Sequence, residues 1–142
     1  MTKNLFIIAL LALGLNCSSH PAGQQESSDP STKGVKISLS ASPRQGFAPL
    51  HVSFQANLTG AAANDQKYYC LQEEWDFGDG AKSTEKPNCD PYGPDAKIKT
   101  EFFVDHTYEI EGTYSIRFSL GEEGKQIHSG NANVNVLERS HQ

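Results

Sequence analysis

The sequence is poor in the features that mark many functional classes. Its 142 residues contain one methionine, one tryptophan and three cysteines. No apolar run reaches the roughly 20 residues that a bilayer-spanning helix needs; the longest occupies residues 5–13. Basic residues are in deficit, 12 Lys and Arg against 17 Asp and Glu, for a formal charge of −5. That balance argues against nucleic acid or anionic lipid as an electrostatic partner and fits a solvated acidic surface. There is no Gly-x-Ser-x-Gly, His-Glu-x-x-His or phosphate-binding loop. His20, His51, His106, His128 and His141 are scattered without zinc-ligand spacing. Beyond the N-terminal run the apolar residues show no helical period.

What the sequence does have is alternation. Val35, Ile37, Leu39 and Ala41 alternate with polar residues, as do Leu50, Val52, Phe54, Ala56 and Leu58, and then Tyr114, Ile116, Phe118 and Leu120. Period two is the signature of half-buried strands. Between the first two runs, residues 42–49 hold two prolines and a glycine and read as a turn. Residues 97–104 read as a further strand, with Ile98, Phe102 and Val104 inward. Gly121–Gly124 reads as a hairpin turn. Ile127 and the set Ala132, Val134 and Val136 have opposite parity, which predicts a bulge near Ser129–Gly130. Tyr69, Leu71, Trp75 and Phe77 share one face of another strand, but Glu73 shares it too. A bulge or late strand start would remove that conflict.

The centre of the pattern is Trp75-Asp76-Phe77-Gly78-Asp79-Gly80. Trp75 and Phe77 point to one face of a strand, and the glycines that follow tolerate positive φ, so the strand ends in a tight turn. Asp76 and Asp79 are short acceptors suited to cap the backbone there. These residues resemble the WDFGDG signature of PKD domains. Ala48-Pro49-Leu50 before a Val-x-Phe strand and the corner His106-x-Tyr108 with Gly112-x-Tyr114 also resemble that family. The resemblance spans residues 35–137 and implies an all-β, immunoglobulin-like sandwich of about seven strands. One departure stands out: the span from Gly80 to His106 is markedly longer than the family's usual gap. It includes a turn-rich insertion with Asn88, Asp90 and Tyr92, and loops carry binding function disproportionately.

The N-terminus reads as a processed leader. Lys3 and the apolar run form a signal-peptide pattern over residues 1–16. Gly14-Leu15-Asn16-Cys17 resembles the relaxed cleavage box of spirochaetal lipoproteins, which implies Cys17 as the lipidated first residue of the mature chain. Residues 17–34 then form a polar tether with nothing to bury, and residues 138–142 a frayed tail. Cysteine parity agrees: if Cys17 carries lipid, Cys70 and Cys89 remain as a pair for an oxidising compartment. Cys70 has the parity opposite to Trp75, so the bridge is expected away from the core.

The expected function is therefore non-catalytic. The chain reads as a lipid-anchored protein of a bacterial outer membrane or cell surface, binding a protein or glycan through its insertion, with no nucleic acid and no small-molecule substrate. A structural lipoprotein of a periplasmic or outer-membrane complex is the alternative. No cofactor is expected. Some PKD domains bind calcium, and Asn64, Asp65, Asp76 and Asp79 are the oxygen donors to consider, although no Asp-x-Asp-x-Asp-Gly run is present. Tyr68, Tyr92 and Phe103 are candidate exposed aromatics; clustered, they suit a protein or glycan contact.

Overall fold

The computed structural model describes residues 34–122 and 124–139. The leader, Cys17 and nearly all of the tether lie outside the described residues. Two antiparallel-rich sheets pack face to face. The first has three strands in the order β1 (Lys36–Ser42), β3 (Leu50–Thr59) and β6 (Glu101–Tyr108). The second has five, in the order β2 (Gln45–Phe47), β8 (Lys125–Leu137), β7 (Gly112–Glu122), β4 (Gln72–Asp76) and β5 (Lys82–Glu85). This is the all-β sandwich that the alternation predicts. Two short 3₁₀ turns, Ala61–Asn64 and Gln66–Tyr68, connect β3 to β4.

The core is the sum of the inward residues of both sheets. Val52, Phe54 and Ala56 of β3 meet Trp75 of β4, Ile116 and Phe118 of β7 and Val134 of β8, all essentially closed to solvent. Trp75 packs on Phe118 at 4.4 Å between ring centroids, and Phe102 joins them from β6. Burying one such aromatic stabilises a fold by about 2–3 kcal/mol, so this cluster dominates cohesion.

Several local expectations are corrected by pairing partners far along the chain. The stretch 42–49 is not only a turn: β2 leaves the first sheet and pairs in parallel with the end of β8. Residues 82–85 form an additional edge strand on β4. The strand expected over 97–104 begins later, at Glu101, and runs to Tyr108. The bulge lies at Ile127 rather than at Ser129–Gly130: Leu120 faces His128 while Gly121 faces Gln126. His128 is turned toward Tyr68, whose hydroxyl shares a 2.9 Å hydrogen bond with Nε2.

Register fixes which ends lie together. Lys36 faces Thr59, Asn57 faces Glu101, and Gln72 faces Gly121. One pole therefore holds the start of β1, the 3₁₀ turns, the β7–β8 hairpin and the long β5–β6 connection. The opposite pole holds the Phe77–Gly80 turn, the Pro43–Pro49 bend, the Glu109–Glu111 turn and the end of β8.

Candidate functional site

The β5–β6 connection, residues 86–100, contains no strand and is nevertheless tied down. Cys70 and Cys89 form a disulfide with Cα atoms 6.1 Å apart. Cys70 sits outside β4, exposed, at φ 60°, so the bridge lies off the core. Tyr69 adds two further ties. Its hydroxyl donates to the Asp90 carbonyl at 3.0 Å, and its ring meets Tyr92 edge-on at 5.2 Å. The side chains of Asn88, Asp90 and Tyr92 face solvent, Tyr92 at 41%. Sequence parity placed Tyr69 on the core face of a strand; the strand in fact starts at Gln72, which frees Tyr69 to organise the loop.

Beneath the loop lies a small cavity of about 80 Å³ lined by Glu73, Pro87, Cys89, Lys97, Lys99 and Phe102, among others. Glu73 remains on the inward face of β4 and is 4% exposed; the late strand start does not move it outward. Its carboxylate is instead met by the Lys99 ammonium at 2.6 Å. Lys99 also lies 5.0 Å above the Phe102 ring. A buried carboxylate requires such a partner, and the insertion supplies it.

The WDFGDG residues build the opposite pole. Asp76 accepts the Gly78 N–H and Asp79 the Ala81 N–H, at 3.1 and 3.0 Å. Gly78 has φ +80°, and a Cβ there would lie 2.6 Å from the Ser115 carbonyl oxygen, so the turn closes directly on β7. The partner of His106 is remote: its Nε2 lies 2.6 Å from Asp79, while its ring stacks on Phe77 at 4.1 Å. Tyr108, fully buried, donates to the Phe77 carbonyl at 3.0 Å, and Tyr114, beyond Gly112, donates to the Ile110 carbonyl at 2.9 Å. Hydrogen bonds from Lys82 and then Gly78 hold the Asp76 carboxyl below its ordinary range. Burial raises that of Asp79, but the His106 and Ala81 hydrogen bonds outweigh it. Burial drives the Tyr108 hydroxyl well above its ordinary value. These groups act on one another and close a corner.

The four calcium candidates are not brought together. Asp65 caps the second 3₁₀ turn through the Lys67 N–H and pairs with its ammonium at 3.2 Å. Asp76 pairs with Lys82, and Asp79 with His106. Among the described residues no group of three or more His, Cys, Asp or Glu is arranged to hold a metal ion. The candidate aromatics also separate. Tyr68 is buried at 3% exposure, contrary to expectation, whereas Phe103 stands out from β6 at 66%.

The fold is an all-β, immunoglobulin-like sandwich of the kind PKD domains have. Among solved structures the chain is similar to the PKD domain of an M14-like peptidase from Thermoplasmatales archaeon SCGC AB-540-F20, at 18% identity and TM-score 0.50, covering 72% of this chain and 95% of that one. It also matches the CARDB domain of the PF1109 protein from Pyrococcus furiosus, solved in complex with di-metal ions, at 11% identity and TM-score 0.45, covering 74% and 94%. No protein-family model and no curated protein matches the chain.

Proposed function

We propose that this chain is a non-catalytic interaction module of a bacterial envelope, anchored through lipid on Cys17 and binding a protein or glycan through the loop fastened by Cys70–Cys89. The observation that carries this reading is the construction of that loop. It is long and solvent-facing, yet fixed by a disulfide, by the two Tyr69 contacts and by Lys99 on Glu73. A surface fixed before binding loses less conformational freedom on association, and an exposed aromatic in the same loop as Asn88 and Asp90 offers both an anchor and polar contacts.

The test is a partner captured by crosslinking in cells and then titrated against variants. Tyr92→Ala and the combined Asn88→Ala/Asp90→Ala/Tyr92→Ala chain should keep the circular dichroism of the parent and weaken binding at least tenfold. Undiminished binding by the folded triple variant would remove the loop from the site.

A structural role within an envelope complex is the second reading, and one observation favours it. The loop shares a pole with Gly34, where the tether joins β1. A tether of residues 18–34 can extend on the order of 50 Å, and drawn taut it would leave this pole facing the membrane of attachment. Protease added to intact cells separates the two readings: cleavage fits surface display, and protection until lysis fits a periplasmic complex.

A further inference from the structure

We propose that β6 pairs edge to edge, antiparallel, with β6 of a second copy of this chain. Among the described residues the two sheets have four edge strands, and three of them are protected. β1 is packed against β8, so closely that a Cβ on Gly130 would lie 2.8 Å from the Ile37 side chain. β2 and β5 are only three and four residues long. β6 is eight residues long and contains no proline or lysine, its charged side chains being Glu101 and Asp105.

Its backbone faces outward in a regular way. The Leu58 N–H bonds to the Thr100 carbonyl at 2.8 Å, one step beyond the β3–β6 ladder. By the alternation of antiparallel pairs, Phe102, Val104, His106 and Tyr108 direct their backbone groups to β3, while Glu101, Phe103, Asp105 and Thr107 direct theirs to the free edge. Among the described residues no backbone hydrogen bond from another segment reaches those four. The core is less fully covered on the same flank. β6 lies over β4 and β7, as the Phe102–Phe118 and Phe77–His106 contacts show, which leaves β5 with no strand opposite it. Val104 points inward and is only half-buried, although its partner Phe54 on β3 is 1% exposed.

The side chains select one register. Matching free backbone groups requires odd residues to face odd residues. Centring the two-fold on Phe103 would set Glu101 opposite Asp105, and centring it on Asp105 would set that carboxylate against itself; like charges directly opposite destabilise a sheet. Centring it on Val104 sets Phe103 opposite Asp105 and Glu101 opposite Thr107. It also brings the two Val104 side chains together on the inward face, and puts the two exposed Phe103 rings on one diagonal and the two Asp105 carboxylates on the other, diagonal rather than directly opposite. The occupant this edge fits is thus a second copy of itself.

Sedimentation equilibrium of the mature chain, residues 17–142 carrying Cys17→Ser, is the experiment. A reversible monomer–dimer equilibrium is expected. Phe103→Glu, an exposed change that sets glutamate against Asp105 twice, should weaken the dimer at least tenfold with unchanged thermal unfolding. On oxidation with diamide, Val104→Cys should give a covalent dimer through residue 104, and Asp105→Cys should not. A chain that stays monomeric at millimolar concentration, or a Phe103→Glu chain that dimerises like the parent, would overturn the proposal. So would crosslinking through 105 but not 104.

Discussion

Removing the ammonium of Lys99 should expose how much the insertion contributes to the core. The Lys99→Met chain keeps most of the aliphatic stem over Phe102 but leaves the Glu73 carboxylate, 5% exposed in its side chain, without its 2.6 Å partner. Removing one partner of a fully buried pair costs about 3–5 kcal/mol. Here the Lys99 side chain is 55% exposed, so solvent already screens part of the interaction, and the expected loss is about 2 kcal/mol. Glu73→Leu removes the buried charge itself and should be neutral to stabilising, because a well-packed apolar group avoids desolvating a carboxylate. The double variant Glu73→Leu/Lys99→Met should then lie within about 1 kcal/mol of the parent, a coupling that independent sites do not show. Urea unfolding is the assay, with the midpoint read at constant m-value. A Lys99→Met chain as stable as the parent, or a Glu73→Leu chain that loses more than about 2 kcal/mol, would refute the reasoning.

Three further outcomes follow from the same contacts. Replacing Cys70 and Cys89 together by Ser, with a sequence separation of 19, should lower unfolding stability by about 3 kcal/mol through loop-closure entropy; hydrogen exchange should accelerate in residues 86–100 while β3 and β7 stay protected. Gly78→Ala should be far more damaging than Gly80→Ala: both have positive φ, but only Gly78 lies against backbone, so the expected costs are roughly 3 or more against about 1–2 kcal/mol by thermal unfolding. Burial, with the nearby Lys67 charge adding to it, lowers the His128 pKa from 6.5, so the fold favours the neutral ring. That contribution is complete above pH 6.5 and is lost as pH falls through the lower folded value. The thermal midpoint should therefore begin to fall below about pH 6.5, and His128→Gln should remove that part of the decline.

The fold was legible wherever the chain writes its own period. β1, β3 and β7 alternate cleanly over seven or more residues, and the Asp76–Gly80 turn carries its chemistry in adjacent residues. What sequence could not reveal depends on partners far away. β2 is three residues in a turn-rich stretch and exists only because β8 offers a parallel edge 90 residues later. Glu73 looked like an error in the pattern because Lys99, 26 residues on, satisfies it. His106 could be assigned to a corner motif, but not to its partner Asp79, 27 residues earlier. Tyr68 lost its alternating parity to a 3₁₀ turn and was buried against His128. At the candidate site, Asn88, Asp90 and Tyr92 could be named from composition and the departure in length. Tyr69 could not, since its role arises only from where β4 begins.

The most direct test of the functional account is site-specific photocrosslinking in living cells, with a photoreactive residue at Tyr92 or, as a control, at exposed Thr113 near the opposite pole. The account predicts a discrete adduct from position 92, absent from position 113 and lost when Asn88 and Asp90 are also replaced. Adducts from 113 alone, or none from 92 in a folded and correctly localised chain, would contradict the claim that the disulfide-fastened loop is the binding surface.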